Sequence, residues 1–173
     1  MQRTSLQTLR IILSLLTIVV LNVGLFIQAS AQPSIQNGIL DLRNYDFVNS
    51  DYVTLNGNWE FYWKELLTSE ELDTIEIKRY REVTSLWTQD YTSIGYATYK
   101  LTILLPENPP SLSLEIPDVY TSYELYSNTK LLANNGKVGT TKEEYIPKWT
   151  TEIAHIQIPK NDTLTLVLQI ANF

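Results

Sequence analysis

The sequence predicts an all-β protein, an antiparallel β-sandwich. Residues 95–128 contain three runs in which apolar and polar side chains alternate, a pattern typical of strands with one buried face. Two breaks, at residues 106–110 and at Pro117-Asp118, separate these runs. Proline cannot continue a sheet because it lacks the amide donor and fixes φ. Short strands joined by polar turns favour an antiparallel sandwich.

The first 31 residues are predicted to be a secretory signal peptide. Arg3 and Arg10 form a positive start, residues 11–27 are almost wholly apolar, and Ala29-Ser30-Ala31 provides a cleavage site of small residues. The alternative is an uncleaved membrane anchor. Either way we expect residues 32–173 to lie outside the cytoplasm, in the periplasm or cell envelope.

The first strands are expected between residues 39 and 63. Residues 39–42 resemble an edge strand, and residues 52–55 a short strand that Asn56-Gly57 would join to the next strand by a hairpin. In residues 58–63 the side chains of Trp59, Phe61 and Trp63 point one way. Residues 64–72 are the one predicted helical turn, with Ser69 as its cap.

The remaining elements alternate between loops and strands. A loop carrying Trp87 is expected at residues 83–91, and strands follow at residues 98–105, 112–116 and 120–126. Asn134 to Gly136 predicts a turn, residues 139–147 a loop, and residues 149–158 and 163–170 two further strands. Because the last strand almost reaches Phe173, we expect the chain to be part of a longer one.

Composition excludes several classes of function. Removing Arg3 and Arg10 with the leader takes the formal net charge from −6 to −8, and so acidic a protein is not expected to bind nucleic acid. The sequence has no cysteine, which excludes disulfides, thiolate metal sites and cysteine nucleophiles. No cofactor or metal site is predicted, since His155 stands alone as the one histidine.

Catalysis is not predicted either. Glycosidase chemistry requires two carboxylates flanking a bond. Glu60, Glu115 and Glu124 fall at polar positions of strands, where a solvated face explains them. Asp118 could join them only through the tertiary structure.

Aromatic residues indicate a possible ligand site. The four tryptophans and eleven tyrosines suit saccharide recognition, because a sugar's apolar face stacks on aromatic rings. Alternating residues Trp59, Phe61 and Trp63 are expected in the core. We predict Trp87, Tyr91 and Tyr96 as ligand-binding residues, with the equally open alternative that they cap the core.

Several segments, taken in order, resemble a known family. They are residues 55–63 (LNGNWEFYW), the Trp87 loop, residues 95–106 (GYATYKLTILLP), residues 122–128 (SYELYSN), residues 135–139 (NGKVG) and the final LVLQIANF. This set resembles the extracellular domain of bacterial seven-transmembrane receptors with diverse intracellular signalling modules. More distantly, it is similar to the sugar-binding jelly-roll domain of β-galactosidase-type hydrolases.

The resemblance implies a galactose-binding-like jelly roll that senses a small molecule or carbohydrate, followed by a membrane-embedded receptor region. The chain departs from the receptor pattern at the 127–129 hairpin, where Thr129 replaces a frequent glycine, and in that no membrane or output region follows Phe173.

Three functions therefore compete: a periplasmic sensor domain, an accessory carbohydrate-binding domain of a secreted hydrolase, and a free-standing envelope protein. For the two binding functions the sequence predicts that Trp87→Ala weakens ligand affinity by about 1–3 kcal/mol.

Overall fold

The computed structural model describes residues 32–50 and 52–173, so the predicted signal peptide lies outside the described residues. The strands are β1 (Ile39–Asp41), β2 (Asn58–Trp63), β3 (Tyr80–Glu82), β4 (Gly95–Leu104), β5 (Leu112–Ile116), β6 (Ser122–Ser127), β7 (Lys130–Asn135), β8 (Glu152–Ile156) and β9 (Thr163–Asn172). One short helix, α1 (Ser69–Leu72), and a 3-10 turn (Trp87–Gln89) complete the elements of the described chain.

The described strands form two sheets. The larger follows the order β3-β2-β4-β9-β6-β7, with β1 on the same edge of β4 as β2, and the smaller pairs β5 with β8. All pairs are antiparallel except β1 with β4, which is parallel. This arrangement confirms the predicted fold class, an all-β antiparallel sandwich.

The main core lies between the two sheets. Because side chains alternate along a strand, Phe61, Tyr99, Leu101 and Leu166 share the inner face of the large sheet and belong to one buried cluster. Leu112 and Leu114 of the small sheet pack against it. Each such side chain contributes about 1.5–3 kcal/mol on burial.

The outer face of the large sheet is covered as well, by residues 64–78. Leu72 of α1 packs on Tyr62 and Val167. The side chain of Thr98 donates to Glu65 O (2.7 Å) and accepts from Leu67 N (3.0 Å), which fastens the covering segment to β4.

Glu60 corrects one expectation. The sequence placed it on a solvated face, but its side chain is only 3% exposed and accepts hydrogen bonds from Lys78 Nζ (2.7 Å) and Tyr62 Oη (2.8 Å). The covering segment is what removes this carboxylate from water, and local pattern gave no sign of it. Of the other two carboxylates, Glu115 is exposed and Glu124 is half-buried.

The predicted strand at residues 52–55 and its Asn56-Gly57 hairpin are wrong. Gly57 instead forms a parallel bridge with Ile35 and has φ +146°, and a Cβ at this position would come within 2.8 Å of Ile35 Cβ. The glycine therefore allows the close passage of an N-terminal segment rather than a tight turn.

Smaller differences concern α1 and two strands. The helix is capped by Thr68 rather than Ser69, in a capping box with Glu71. The charged β3 and the weakly alternating β7 were not expected, since each becomes a strand by pairing with a neighbour. The β6–β7 hairpin forms although Thr129 replaces glycine, because Asn128 adopts the positive φ (+54°).

No helix of the described residues is both long enough and apolar enough to cross a membrane.

We expect Leu101→Ala to lower the free energy of unfolding by about 2–5 kcal/mol, because it opens a cavity in the main core. Leu131→Ala is the matched control, since Leu131 is 49% exposed on β7. Urea unfolding of the purified protein, followed by tryptophan fluorescence, measures both. Equal losses in the two variants would contradict the described core.

Lys78→Met should lower the free energy of unfolding by about 1–3 kcal/mol, because it leaves the buried Glu60 carboxylate without its cation. Lys78 is itself 41% exposed, which keeps the effect below that of a fully buried pair. The measurement is urea unfolding at pH 7, with Asp41→Asn, in the exposed Asp41–Arg43 pair, as the control expected to change little.

The same pair predicts a pH dependence. The hydrogen bond to Glu60 raises the pKa of Lys78 above its ordinary value of 10.5. A group whose pKa is higher in the folded protein than in the unfolded chain stabilises the fold at pH values below its unfolded pKa. This stabilisation is lost as the pH rises through its folded pKa. The difference between wild type and Lys78→Met should therefore shrink above pH 10.5; a constant difference would contradict the pairing.

Candidate functional site

Several loops converge at one end of the sandwich. β6 begins there, and β7 and β9 end there, as the pairs Ser122↔Ala171 and Tyr123↔Asn135 show. Residues 117–121 lead from β5 into β6, and residues 136–151 lead from β7 to β8. This end therefore brings together segments that are distant in the sequence.

The buried side chain of Asn135 organises these segments. Its Nδ2 donates to Lys148 O (2.6 Å) and to Thr121 O (3.5 Å), and its Oδ1 accepts from Thr150 Oγ1 (3.1 Å). One amide thus holds both loops, because both carbonyl oxygens lie within 3.5 Å of the same nitrogen. A satisfied buried polar network of this kind makes the backbone around it rigid.

Trp149 lies between the two residues that Asn135 binds in the second loop, yet its side chain is 61% exposed. It differs from Trp59, which is buried, and from Trp63 and Trp87, which are half-buried. The loop therefore presents one large ring to solvent on a backbone that is held on both sides.

Tyr120 is likewise an exposed ring next to a residue that Asn135 binds, here in the 117–121 loop. It precedes Thr121, is 76% exposed, and its amide donates to Asp118 Oδ1 (3.2 Å). Its φ is +53°, in the left-handed region that a bulky residue rarely adopts. Strained residues of this kind cluster at functional sites. We call Tyr120, Trp149 and their supporting residue Asn135 the aromatic platform.

Carboxylates lie close to the platform. The hydroxyl of Tyr123 is buried and has no hydrogen-bond partner among the described residues. Burial raises its pKa to about 12, and the charges of Glu152 and Asp118 add to the shift. Exposed rings beside carboxylates and amides are the groups that recognise saccharides: rings stack on the apolar sugar face, and polar groups bind its hydroxyls.

Sequence reasoning missed the platform because it assigned both rings to strands. β6 begins at Ser122 and β8 at Glu152, so Tyr120 and Trp149 precede them in loops. Pro117 and Pro147, two or three residues away, were the available signal, since proline marks loops and strand ends.

The structure brings two of the three predicted ligand residues together. Tyr91 stacks on Trp63 (centroids 4.7 Å apart), and Trp87 meets Trp63 edge to face (4.8 Å). Phe61 and Tyr99 extend this group, which we call the aromatic cluster. Both Trp87 and Tyr91 are half-buried and pack against the main core; their contact with a ligand stays a prediction.

Polar contacts hold the aromatic cluster in place. Trp87 Nε1 donates to Tyr99 Oη (2.9 Å), and the guanidinium of Arg81 lies over the rings of Phe61 and Tyr91 at 5.7 and 5.5 Å. Burial raises the pKa of Tyr99, against the opposing effects of the Trp87 hydrogen bond and the Arg81 charge. Arg81 also pairs with Asp90 and donates to Leu86 O (2.7 Å).

Tyr96 is separated from the other two. Along β4 it alternates with Ala97 and Tyr99, so it lies on the outer face of the sheet, opposite the aromatic cluster. Its side chain is half-buried, and its carbonyl accepts from Lys64 N (2.9 Å). Trp87, Tyr91 and Tyr96 therefore do not share one surface.

Other reactive side chains of the described residues do not form a larger constellation. His155 is exposed on β8, and its Nδ1 lies 2.8 Å from the hydroxyl of Ser113 on β5. Within the described ranges, no three His, Cys, Asp or Glu side chains lie close enough together to hold a metal ion.

No family model matches the chain, and no curated protein does. Among solved structures it is similar to a β-glucuronidase from Ruminococcus gnavus, with 15% identity over 68% of this chain and 21% of that chain and a TM-score of 0.46. It is also similar to a GH2 β-galacturonidase from Eisenbergiella tayi bound to galacturonate. The identity is 14% over 67% of this chain and 18% of that chain, with a TM-score of 0.44. A β-D-glucuronidase from Dictyoglomus thermophilum matches with 15% identity over 68% of this chain and 19% of that chain, and with a TM-score of 0.44.

The chain thus spans about a fifth of the length of these solved structures. A likeness of this degree says nothing about the chemistry of this chain.

We expect Trp87→Phe to lower the free energy of unfolding by about 1–3 kcal/mol, because the Tyr99 hydroxyl loses its donor in a buried position. Trp149→Phe is the matched control and should leave stability nearly unchanged, since its ring is exposed. Thermal unfolding measures both variants. A larger loss for Trp149→Phe than for Trp87→Phe would contradict the division between cluster and platform.

Proposed function

We propose that residues 32–173 form a non-catalytic domain that binds a carbohydrate. The observation that carries this proposal is the aromatic platform: two exposed rings, Tyr120 and Trp149, on loops that one buried asparagine holds in place. Binding residues lie disproportionately on loops that a rigid scaffold positions, and both rings meet that condition.

The platform suits a sugar for two physical reasons. Tyrosine and tryptophan offer a large rigid ring face, and a held backbone means that little ordering entropy is lost on binding. Polar groups lie in the same loops: the Asp118 carboxylate accepts from the Tyr120 amide, and Lys148 and Thr150 flank Trp149 in the sequence. Rings and hydrogen-bonding groups together match the two kinds of surface of a pyranose.

The kind of protein to which this domain belongs is a second, more specific proposal. The predicted signal peptide supports export, and the ordered resemblance across nearly the whole mature chain supports the periplasmic sensor domain of a seven-transmembrane receptor. Ligand binding would then shift the pose of the domain relative to the membrane region. The more distant resemblance to jelly-roll domains of β-galactosidase-type hydrolases supports the alternative, an accessory carbohydrate-binding domain.

The coding sequence after Phe173 distinguishes the receptor from the hydrolase. The receptor requires seven apolar spans followed by a signalling module. The hydrolase requires a (β/α)₈ barrel with paired glutamates. A stop codon directly after Phe173 would refute both and leave the free-standing envelope protein.

We expect Trp149→Ala to weaken sugar binding by about 1–3 kcal/mol, the scale of one lost aromatic contact. A glycan-array screen of the purified protein identifies the sugar, and calorimetry then compares wild type with Trp149→Ala. Tyr52→Ala is the control, because Tyr52 is an exposed aromatic outside the platform. No glycan bound by the wild-type protein, or unchanged affinity in Trp149→Ala, would refute the proposed site.

Two substitutions of Tyr120 separate its ring from its strained backbone. Tyr120→Ala and Tyr120→Gly both remove the ring and should weaken sugar binding alike. Glycine also relieves the left-handed conformation, so Tyr120→Gly should be more stable than Tyr120→Ala by about 1 kcal/mol. Thermal unfolding and calorimetry test both parts; full affinity in either variant would exclude Tyr120 from the site.

A further inference from the structure

A second surface feature lies at the opposite end of the sandwich from the aromatic platform. The β6–β7 turn and the β8–β9 turn enclose an open groove of about 400 Å³. Strand β6 runs from the platform at Ser122 to the groove at Ser127, and its six residues span roughly 17 Å. The two sites therefore share no residue.

The groove is basic, although the protein is acidic. Lys130, Lys160 and His155 line it, together with the amide side chains of Asn128 and Gln157. No carboxylate is among its lining residues in the described chain. In a sequence with 19 acidic and 13 basic residues, this local excess of positive charge favours an anionic ligand.

The hydrogen-bonding groups of the groove are partly oriented. Lys130 Nζ donates to Gln157 Oε1 (3.2 Å), which leaves two of the three ammonium protons for a ligand. Nδ1 of His155 lies 2.8 Å from Ser113 Oγ. When that hydroxyl donates to Nδ1, Nε2 carries the proton and can donate to an anion.

The turn that forms one wall is rigid. Asn128 N donates to Thr165 O (2.7 Å), and Asn128 Oδ1 accepts from Thr165 N (3.0 Å), so the turn is tied to β9 from both sides. The carbonyl of Asn128 also accepts from Ser69 Oγ. Leu132, Ile158 and Pro159 add apolar surface to the same groove, which a carbon skeleton can cover.

We propose that this groove binds a small organic anion through a carboxylate or phosphate group. The lysine ammonium groups bind the anionic oxygens, since charge-assisted hydrogen bonds are about twice as strong as neutral ones. The apolar wall contacts the carbon skeleton, which distinguishes the ligand from an inorganic ion. This second site is independent of sugar binding at the aromatic platform.

Three probes with one carbon skeleton test the proposal by NMR on the purified, ¹⁵N-labelled protein: D-glucose, D-glucuronate and D-glucose 6-phosphate. We expect at least one of the two anions to shift the amide signals of Thr129, Lys130 and Gln157, while glucose at the same concentration leaves them in place. The anion that binds more tightly identifies the preferred group. Inorganic phosphate, the fourth probe, should bind more weakly because it contacts no apolar wall.

The double variant Lys130→Gln/Lys160→Gln should bind the anion about tenfold more weakly, the loss expected for charged hydrogen bonds. Raising the salt concentration should weaken wild-type binding more than that of the variant. Lys142→Gln is the matched control, because Lys142 is exposed in the 136–151 loop, away from the groove. Should the double variant unfold, each single lysine variant provides the same comparison.

Four results would overturn the proposal: no shift of the groove signals with either anion, equal binding of glucose and the anions, phosphate binding as tightly as the organic anions, or unchanged affinity in the lysine variants. Trp149→Ala should leave anion binding intact. Refuting anion binding in the groove therefore does not refute carbohydrate binding at the aromatic platform, and refuting carbohydrate binding does not refute the groove.

Discussion

The antiparallel pairing of β4 with β9 sets the positions of the neighbouring strands in the large sheet. Their ten-residue antiparallel ladder runs from Gly95↔Asn172 to Leu104↔Thr163, and β2, β1 and β6 attach to its two edges. Because alternate residues of both strands are buried, one face needs a second sheet and the other a covering segment. Both covers come from elsewhere in the chain: β5 and β8 on the inner face, and residues 64–78 on the outer face. A one-residue slip of this ladder would exchange the two faces.

The two groups of aromatic residues have different roles because their backbones are held differently. Trp87 and Tyr91 lie on a segment that crosses the inner face, where stacking on Trp63 and the charge of Arg81 hold them against the core. At the loop end the supporting interaction is polar and lies beneath the backbone, at Asn135. The rings of Tyr120 and Trp149 need no part in packing and remain exposed. Aromatic content alone therefore does not predict which rings are exposed; the position of the supporting interaction does.

Charge is distributed in the same selective way. Glu60 with Lys78, and Lys100 with Asp73, are ion pairs on the covered outer face, each with one buried partner. Their function is structural, because each buried charge would be costly without its partner. In the groove between the β6–β7 and β8–β9 turns, by contrast, cationic groups line an open surface without a carboxylate among the lining residues. The lysines of the groove are available to a ligand, whereas the ion-paired residues beneath residues 64–78 are not.

The fold class and the central strands could be predicted from local patterns of side chains. Period-two alternation in residues 98–105, 112–116 and 163–170 depends only on one buried face, and prolines at the breaks act locally. The structure alone decided which face each residue joined and where the loops met. Glu60 is buried because a distant segment covers it, Gly57 allows Ile35 to pass, and Tyr96 lies opposite Trp87 through strand alternation. Thr121 and Lys148, next in sequence to Tyr120 and Trp149, meet at one asparagine only after folding, because hydrogen bonds between distant segments leave no periodic trace in sequence.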